Sequence, residues 1–432
     1  MLLAKGRSDS VVERGEWNVE WWVESMTCRR WQLSMNATDF QIPGFLFSGV
    51  SAGIKKDGKR DLGLIYSEVP AQAAGLFTTN RVKAAPVRLD MERIKKGIGQ
   101  AVVINSGNAN ACTGPRGLKD ARKISSLVSK HLGIDERHVL VSSTGVIGVP
   151  LPMTKIETGI PEAVKDLSPD GWMKTVEAIM TTDTFPKIEV ATCRIKGKRV
   201  KVCGMVKGAG MIEPHVATML SYLVTDAKVK APILQKMLRE VADDSYNRIT
   251  IDGDMSTNDT VLLLANGKAD HPIIDRMGKD GKIFESVLLE VCQNLAKSVV
   301  KDGEGATKFI EVAVKEARNR EDAKKAAYAI ANSSLVKTAF FGEDLNWGRI
   351  MCAVGYSGAP IDPDRIDVFL DKIPIVKRGV GLGGKFEDRA RQVLKGKSFK
   401  VLVNLHQGKG EFSVFTMDLS LDYVKINASY RS

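Results

Sequence analysis

Apolar positions along the chain change period several times, and each change marks an element. Residues 101–104 (Ala-Val-Val-Ile), 139–141 and 260–265 are short apolar runs and predict strands. From residue 283 the apolar positions Ile283, Val287, Val291, Leu295 and Val299 recur every four residues, which predicts a helix over 283–299 with one stripe in the core. Pro232 can open another helix, carrying Ile233, Leu234, Met237, Leu238 and Val241, because proline in a first turn forfeits no hydrogen bond. Further helices are expected at 119–132, ending at 177–180, and at 322–330. Further strands are expected at 309–314, 365–373, 399–405 and 411–416. Between Leu62 and Val87 the apolar runs are broken by Pro70, Gly75 and Pro86, which reads as several strands and turns. Met219, Leu220, Leu223 and Val224 fall at helical spacing, so a helix is expected directly after Thr218. Helices and strands alternating in this way make an α/β protein with mixed sheets.

Composition narrows the class. The chain has 432 residues, 44% hydrophobic and 26% charged, ample for a large core in two or three domains. No apolar run approaches bilayer length, and the first residues, with Lys5 and Arg7 followed by Asp9, Glu13 and Glu16, lack a signal peptide's apolar centre. A cytoplasmic protein with no membrane partner is expected. The six cysteines are scattered, so free thiols are expected rather than a disulfide framework or a zinc site. A net charge of +12 is spread along the chain rather than gathered in blocks with aromatic residues, which favours a solvated basic surface attracting anionic amino acids over a nucleic-acid partner. Residues 1–34 hold Trp17, Trp21, Trp22 and Trp31 and read as either an added N-terminal extension or a misassigned start. The alternative for this leader is a membrane-surface or partner helix.

The chemistry-bearing residues lie in separate stretches. Lys207-Gly-Ala-Gly-Met-Ile-Glu-Pro-His-Val-Ala-Thr218 has Gly208, Gly210 and Pro214 ahead of its threonine. Thr218 reads either as a helix N-cap or as a nucleophile. Cutting the Ala217–Thr218 bond would free an α-amine, of pKa about 7.7–8, that can take its hydroxyl proton. Residues 105–114 form a small-residue loop without a Walker lysine or Rossmann spacing. In Ser142-Ser-Thr-Gly-Val-Ile-Gly148, a hydroxyl beside a flexible amide offers two donors that can converge on one oxygen. The Asp252–Asp259 stretch looks like a calcium loop, but its twelfth position is Leu263 rather than a bidentate glutamate, leaving a polar loop near the site. Glu304, between Gly303 and Gly305, reads either as a solvated turn or as a carboxylate exposed to a ligand.

These stretches, together with Lys337–Arg349 and the closing residues 423–432, occur in the order of the ornithine acetyltransferase family, the glutamate N-acetyltransferases of arginine biosynthesis, which the chain resembles from residue 35 to its end. The resemblance implies a self-processing acetyltransferase fold in which residues 35–217 and 218–432 become two chains sharing one core. It implies Thr218 as nucleophile, Thr144 and Gly145 as the oxyanion hole, and Thr181, Lys207, Thr218, Glu304, Asn427 and Ser432 as substrate contacts. Ser432 stands where the family commonly has threonine, and His215 where it often has asparagine. The implied reaction moves acetyl from N-acetylornithine to glutamate with no metal and no cofactor, in an α2β2 assembly; acetyl-CoA as a second donor stays open. An aminopeptidase or amidase using the same N-terminal threonine is the alternative, separated by whether water reaches the acetyl-enzyme. If residues 1–34 take no part in catalysis, a chain beginning at Met35 should fold and turn over normally. Loss of soluble protein on that truncation would instead make the tryptophans core residues.

Overall fold

A long bent strand shared by two halves of a sheet organises the first part of the chain. The computed structural model describes residues 40–213 and 219–429. The described residues all fall within one compact unit, Phe40–Ser432. The expectations for residues 1–34, His215, Ala217, Thr218 and Ser432 lie outside the described residues.

Eight strands make the first sheet: β1 (Phe45–Val50), β2 (Leu62–Phe77), β3 (Ile98–Asn108), β4 (Val139–Val146), β5 (Lys187–Ile195), β6 (Lys198–Lys207), β7 (Leu220–Thr225) and β8 (Thr260–Ala265). Their order is β4-β3-β2-β8-β7-β6-β5, with β1 on β2. β3/β4 and β7/β8 are parallel pairs and the others antiparallel, so the sheet is mixed. β2 pairs with β3 through residues 62–66 and 71–72 and with β8 through residues 72–77, and its register against β3 shifts between Tyr66 and Ala71. Pro70 sits in that interruption, where a residue without an N–H breaks no ladder. Helices Gly114–Leu132 and Met153–Lys165 share a core with β2, β3 and β4. Helix Lys279–Lys301 packs on β5 and β6, burying Val287, Val291, Leu295 and Val299; each such side chain is worth about 1.5–3 kcal/mol.

The second sheet holds β9 (Phe309–Ala317), β10 (Asp367–Leu370), β11 (Ile373–Lys377), β12 (Val380–Gly381), β13 (Ser398–Asn404) and β14 (Gly410–Met417), in the order β12-β11-β10-β13-β9-β14. Helices Arg320–Ala331, Ser334–Phe341, Trp347–Gly355 and Gly384–Leu394 join it in one core. Lys337 ties this half to the polar loop of the first: its ammonium donates to the Ile251 carbonyl (2.6 Å) and to Thr416 (3.1 Å).

Several expectations change. The segment after Thr218 is strand β7, not a helix: all six residues from Leu220 to Thr225 are buried between β6 and β8. A short run buried on both faces carries no period that separates strand from helix. The 62–87 region is one 16-residue strand followed by helix Ala85–Arg93, in whose first turn Pro86 sits. Residues 105–108 belong to β3 rather than to a loop, and helix Gly114–Leu132 starts earlier than expected, with a proline in its first turn. The 365–373 strand is a hairpin of β10 and β11, turning at Asp371 with φ 50°. Cys112, Cys193, Cys203, Cys292 and Cys352 are free. Among the described residues no helix is long and apolar enough to cross a membrane.

Candidate active site

Bending at β2 brings the ends of β3 and β4 against the starts of β7 and β8. The Asn258 amide marks the junction, donating to the carbonyls of Ala109 (2.6 Å) and Ser143 (2.8 Å). A pocket opens there, and Thr144, Gly145, Thr181, Lys207, Glu304 and Asn427 all line it. Met219, the residue after Thr218, lines it too, as do Ser256, Thr257, Asn258 and Asp259 from the polar loop.

Thr144 and Gly145 are held in β4 by its pairing with β3, Ser106 opposite Thr144. Gly145 has φ 129°, and a Cβ there would lie 2.4 Å from the Gly107 carbonyl carbon and 2.6 Å from the Asn108 nitrogen, so only glycine fits. Lys207 ends β6 and donates to the Thr144 hydroxyl at 3.1 Å. With its oxygen accepting from an ammonium, the Thr144 O–H is left to donate elsewhere. Burial lowers the Lys207 pKa, while Asp183, Asp259 and Glu304 pull the other way.

Glu304 is 7% exposed rather than displayed to solvent. Its N–H donates to the Ala209 carbonyl (2.7 Å), and one carboxylate oxygen accepts from the Asn427 amide (2.9 Å). Gly210 permits this seat, because a Cβ there would come within 2.4 Å of the carboxylate. Asn427 belongs to helix Leu421–Ser429, so the end of the described chain returns to the pocket. Asp252 fastens the other side, accepting from the amides of Met211 (2.7 Å) and Ile212 (2.8 Å).

Beneath these groups lies an ion triad that the sequence reading did not single out. The Lys187 ammonium lies between Asp183, at 2.6 Å, and Asp302, with the three side chains 0%, 0% and 1% exposed. Asp183 also accepts from the backbone of Thr181 (2.9 Å) and Gly208 (2.8 Å), and Asp302 from that of Thr184 (3.0 Å). The triad thereby fixes the three segments that carry Thr181, Lys207 and Glu304. Burial raises the Asp183 pKa, but Lys187 and Lys207 outweigh it and hold the carboxyl at about 2. The available signal was the Asp183/Lys187 spacing; nothing in the sequence joined that pair to Asp302.

A polarised hydroxyl, a buried lysine and carboxyls gathered at converging strand ends are the constitution of a group-transfer enzyme acting on small polar molecules. A profile of the ArgJ family matches residues 46–432. The chain is 55% identical over 391 residues to the arginine biosynthesis bifunctional protein ArgJ of Geobacter sulfurreducens, covering 90% of this chain and all of that protein. It is 51% identical to the protein of that name from Syntrophotalea carbinolica, over 91% of this chain and all of the relative. A solved chain of the bifunctional ArgJ protein from Bacillus halodurans superposes with a TM-score of 0.47 at 43% identity, over 49% of this chain and all of the other. The chain belongs to the ArgJ family.

Breaking the triad should be costly. Asp183→Asn leaves Lys187 half-compensated in a dry site and should cost about 3–5 kcal/mol, read as an earlier midpoint in denaturant. The native Asp183 pKa of about 2 lies below the ordinary 3.8, so its stabilisation is present above about pH 4 and is lost as pH falls toward 2. The acid limb of the stability profile should therefore be shallower in the variant; an unchanged limb would show that Asp183 does not carry it.

Proposed function

We propose that the chain cuts its own Ala217–Thr218 bond and then carries acetyl from N2-acetyl-L-ornithine to L-glutamate as an ester on Thr218. Acetyl transfer in arginine biosynthesis goes with the family to which the chain belongs. One observation carries the assignment of residues: Thr144, Gly145, Thr181, Lys207, Glu304 and Asn427, scattered over nearly 300 positions, line one pocket with Met219.

The chemistry runs in two stages. In self-cleavage the Thr218 hydroxyl attacks the Ala217 carbonyl, and water opens the resulting ester, leaving a free α-amine beside the hydroxyl. In transfer, that amine takes the hydroxyl proton as the oxygen attacks the acetyl carbon. The Thr144 hydroxyl, already accepting from Lys207, and the Gly145 amide donate to the oxyanion. Lys207 spends one of its three N–H groups on Thr144 and has others for a substrate carboxylate. Glu304, steadied by Asn427, takes a substrate ammonium with Thr181 beside it, and Ser432 completes the contacts. An ester intermediate lets one pocket serve two amines in turn and calls for no cofactor. The word bifunctional in the relatives' name supports acetyl-CoA as a second donor.

The cut falls in the connection between β6 and β7, which pair from Val202↔Thr225 to Lys207↔Leu220. The two chains, 35–217 with its extension 1–34 and 218–432, would thus remain joined through one sheet. An α2β2 assembly in the cytoplasm completes the proposal.

Purified protein should run as two associated fragments, the second beginning at Thr218. Thr218→Ala should stay as one inactive chain. Thr218→Ser, which keeps the hydroxyl but loses the methyl that restrains χ1, should cleave and transfer more slowly. Steady-state kinetics should give the parallel lines of a ping-pong reaction. An active, uncleaved wild-type chain would overturn the proposal. Lys207→Met should raise KM for donor and acceptor together; unchanged KM for both would remove Lys207 from the substrate.

A further inference from the structure

Asp259 is the residue just before β8 and lines the pocket, yet it has no part in the scheme above. It is 2% exposed, and among the described residues its Oδ2 has no hydrogen-bond partner. Buried polar atoms are nearly always paired, so an orphan carboxyl oxygen at a reaction pocket points to a partner that arrives with the substrate. The other carboxyls around the pocket are committed: Asp183 and Asp302 to Lys187, Glu304 to Asn427, Asp252 to backbone amides. The parallel register of β7 and β8 places Asp259 beside Met219, whose carbonyl accepts from the Thr260 N–H at 3.0 Å. Burial pushes the Asp259 carboxyl well above the usual carboxylate range, against the hydroxyl of Ser256, the Lys207 ammonium and the hydroxyl of Thr78. A carboxyl shifted in that direction keeps its proton to higher pH than an ordinary one and can donate it.

Exchange of one amine for another on an acyl group needs a proton at each nitrogen. The amine that leaves an amide must gain one, and the amine that attacks an ester must lose one. We infer that the Asp259 carboxyl is the proton carrier of the transfer, giving its proton to the departing nitrogen and taking one from the incoming nitrogen. The inference rests on the acetyl-Thr218 scheme above and adds a residue to it. In the first half, the Thr218 oxygen bonds to the acetyl carbon, its proton passes to the Thr218 α-amine, the C–N bond breaks and protonated Asp259 supplies the proton to nitrogen. This leaves an acetyl ester, an α-ammonium, a neutral amine and an Asp259 carboxylate. In the second half, the glutamate amine bonds to the acetyl carbon, its proton passes to Asp259, the C–O bond breaks and the α-ammonium returns its proton to the Thr218 oxygen. Both residues end as they began.

The test separates proton transfer from packing. Wild-type protein and Asp259→Asn are given either 4-nitrophenyl acetate, whose phenolate leaves without a proton, or N-acetylornithine, whose departing nitrogen must gain one, and the acetyl mass on the Thr218 fragment is followed. The variant should load from the phenyl ester at close to the wild-type rate and from N-acetylornithine about 100-fold more slowly or worse. Once loaded from the phenyl ester, it should also pass its acetyl to glutamate about 100-fold more slowly. Equal slowing with both donors would assign Asp259 to packing and overturn the inference, as would an unchanged rate with N-acetylornithine. An Asp259→Asn chain that stays uncleaved would also overturn it, since the carboxyl would then be needed before any acetyl is bound. Wild-type protein that takes up no acetyl on Thr218 would instead strike the underlying scheme, and the inference with it.

Discussion

Everything at the pocket depends on one buried ammonium. Lys187 sits in a dry site between Asp183 and Asp302, where an isolated charge would be prohibitively costly and an ion pair does little better than break even. Its value lies in what the two carboxylates do with their remaining acceptor positions. They reach the amides of Thr181, Thr184 and Gly208, gathering three chain segments that are far apart in sequence. Removing either carboxylate frees a segment and strands a charge together. This is preorganisation: the groups facing the substrate are set before it arrives, and their fields need not be arranged during the reaction.

The second constraint is the bend in β2. Its first half pairs with β1 and β3, and its second half leaves β3 at residues 71–72 and continues along β8, so a single strand joins the sheet region bearing Thr144 and Gly145 to the region bearing Lys207 and Met219. Pro70 and the register shift make the bend local. The connection from β6 to β7 begins at the pocket with Lys207 and ends at it with Met219, and the strands on either side need no covalent link to stay paired. A chain arranged this way can be cut there and keep its core. The second sheet lends support through Lys337, whose buried ammonium holds the Ile251 carbonyl at the base of the polar loop.

Much of this was legible in the sequence, for reasons that differ by element. Helix Lys279–Lys301 and strand β8 announced themselves because one has a single buried stripe and the other is a short run flanked by polar residues. β7 did not, since Leu220–Thr225 is buried throughout and its apolar positions also fit a helix. With strand β7 in that place there is no helix for Thr218 to cap. The six pocket residues were legible through motifs matching a known family, not through periodicity. Asp183, Lys187, Asp302 and Asp259 were not, because burial decides their roles and the sequence does not show what encloses a charge. Glu304 illustrates the same limit. Its flanking glycines suggested exposure, whereas Gly210 in fact makes room for its carboxylate against the backbone.

In the proposed reaction the acetyl group rests on the Thr218 hydroxyl between its two amine partners. Mass spectrometry of the separated fragments after incubation with N-acetylornithine alone tests it most directly. One acetyl should appear on the fragment beginning at Thr218, map to that residue, and leave when glutamate is added, with N-acetylglutamate formed in equal amount. An active enzyme whose fragments never carry acetyl, or carry it elsewhere, would contradict the account.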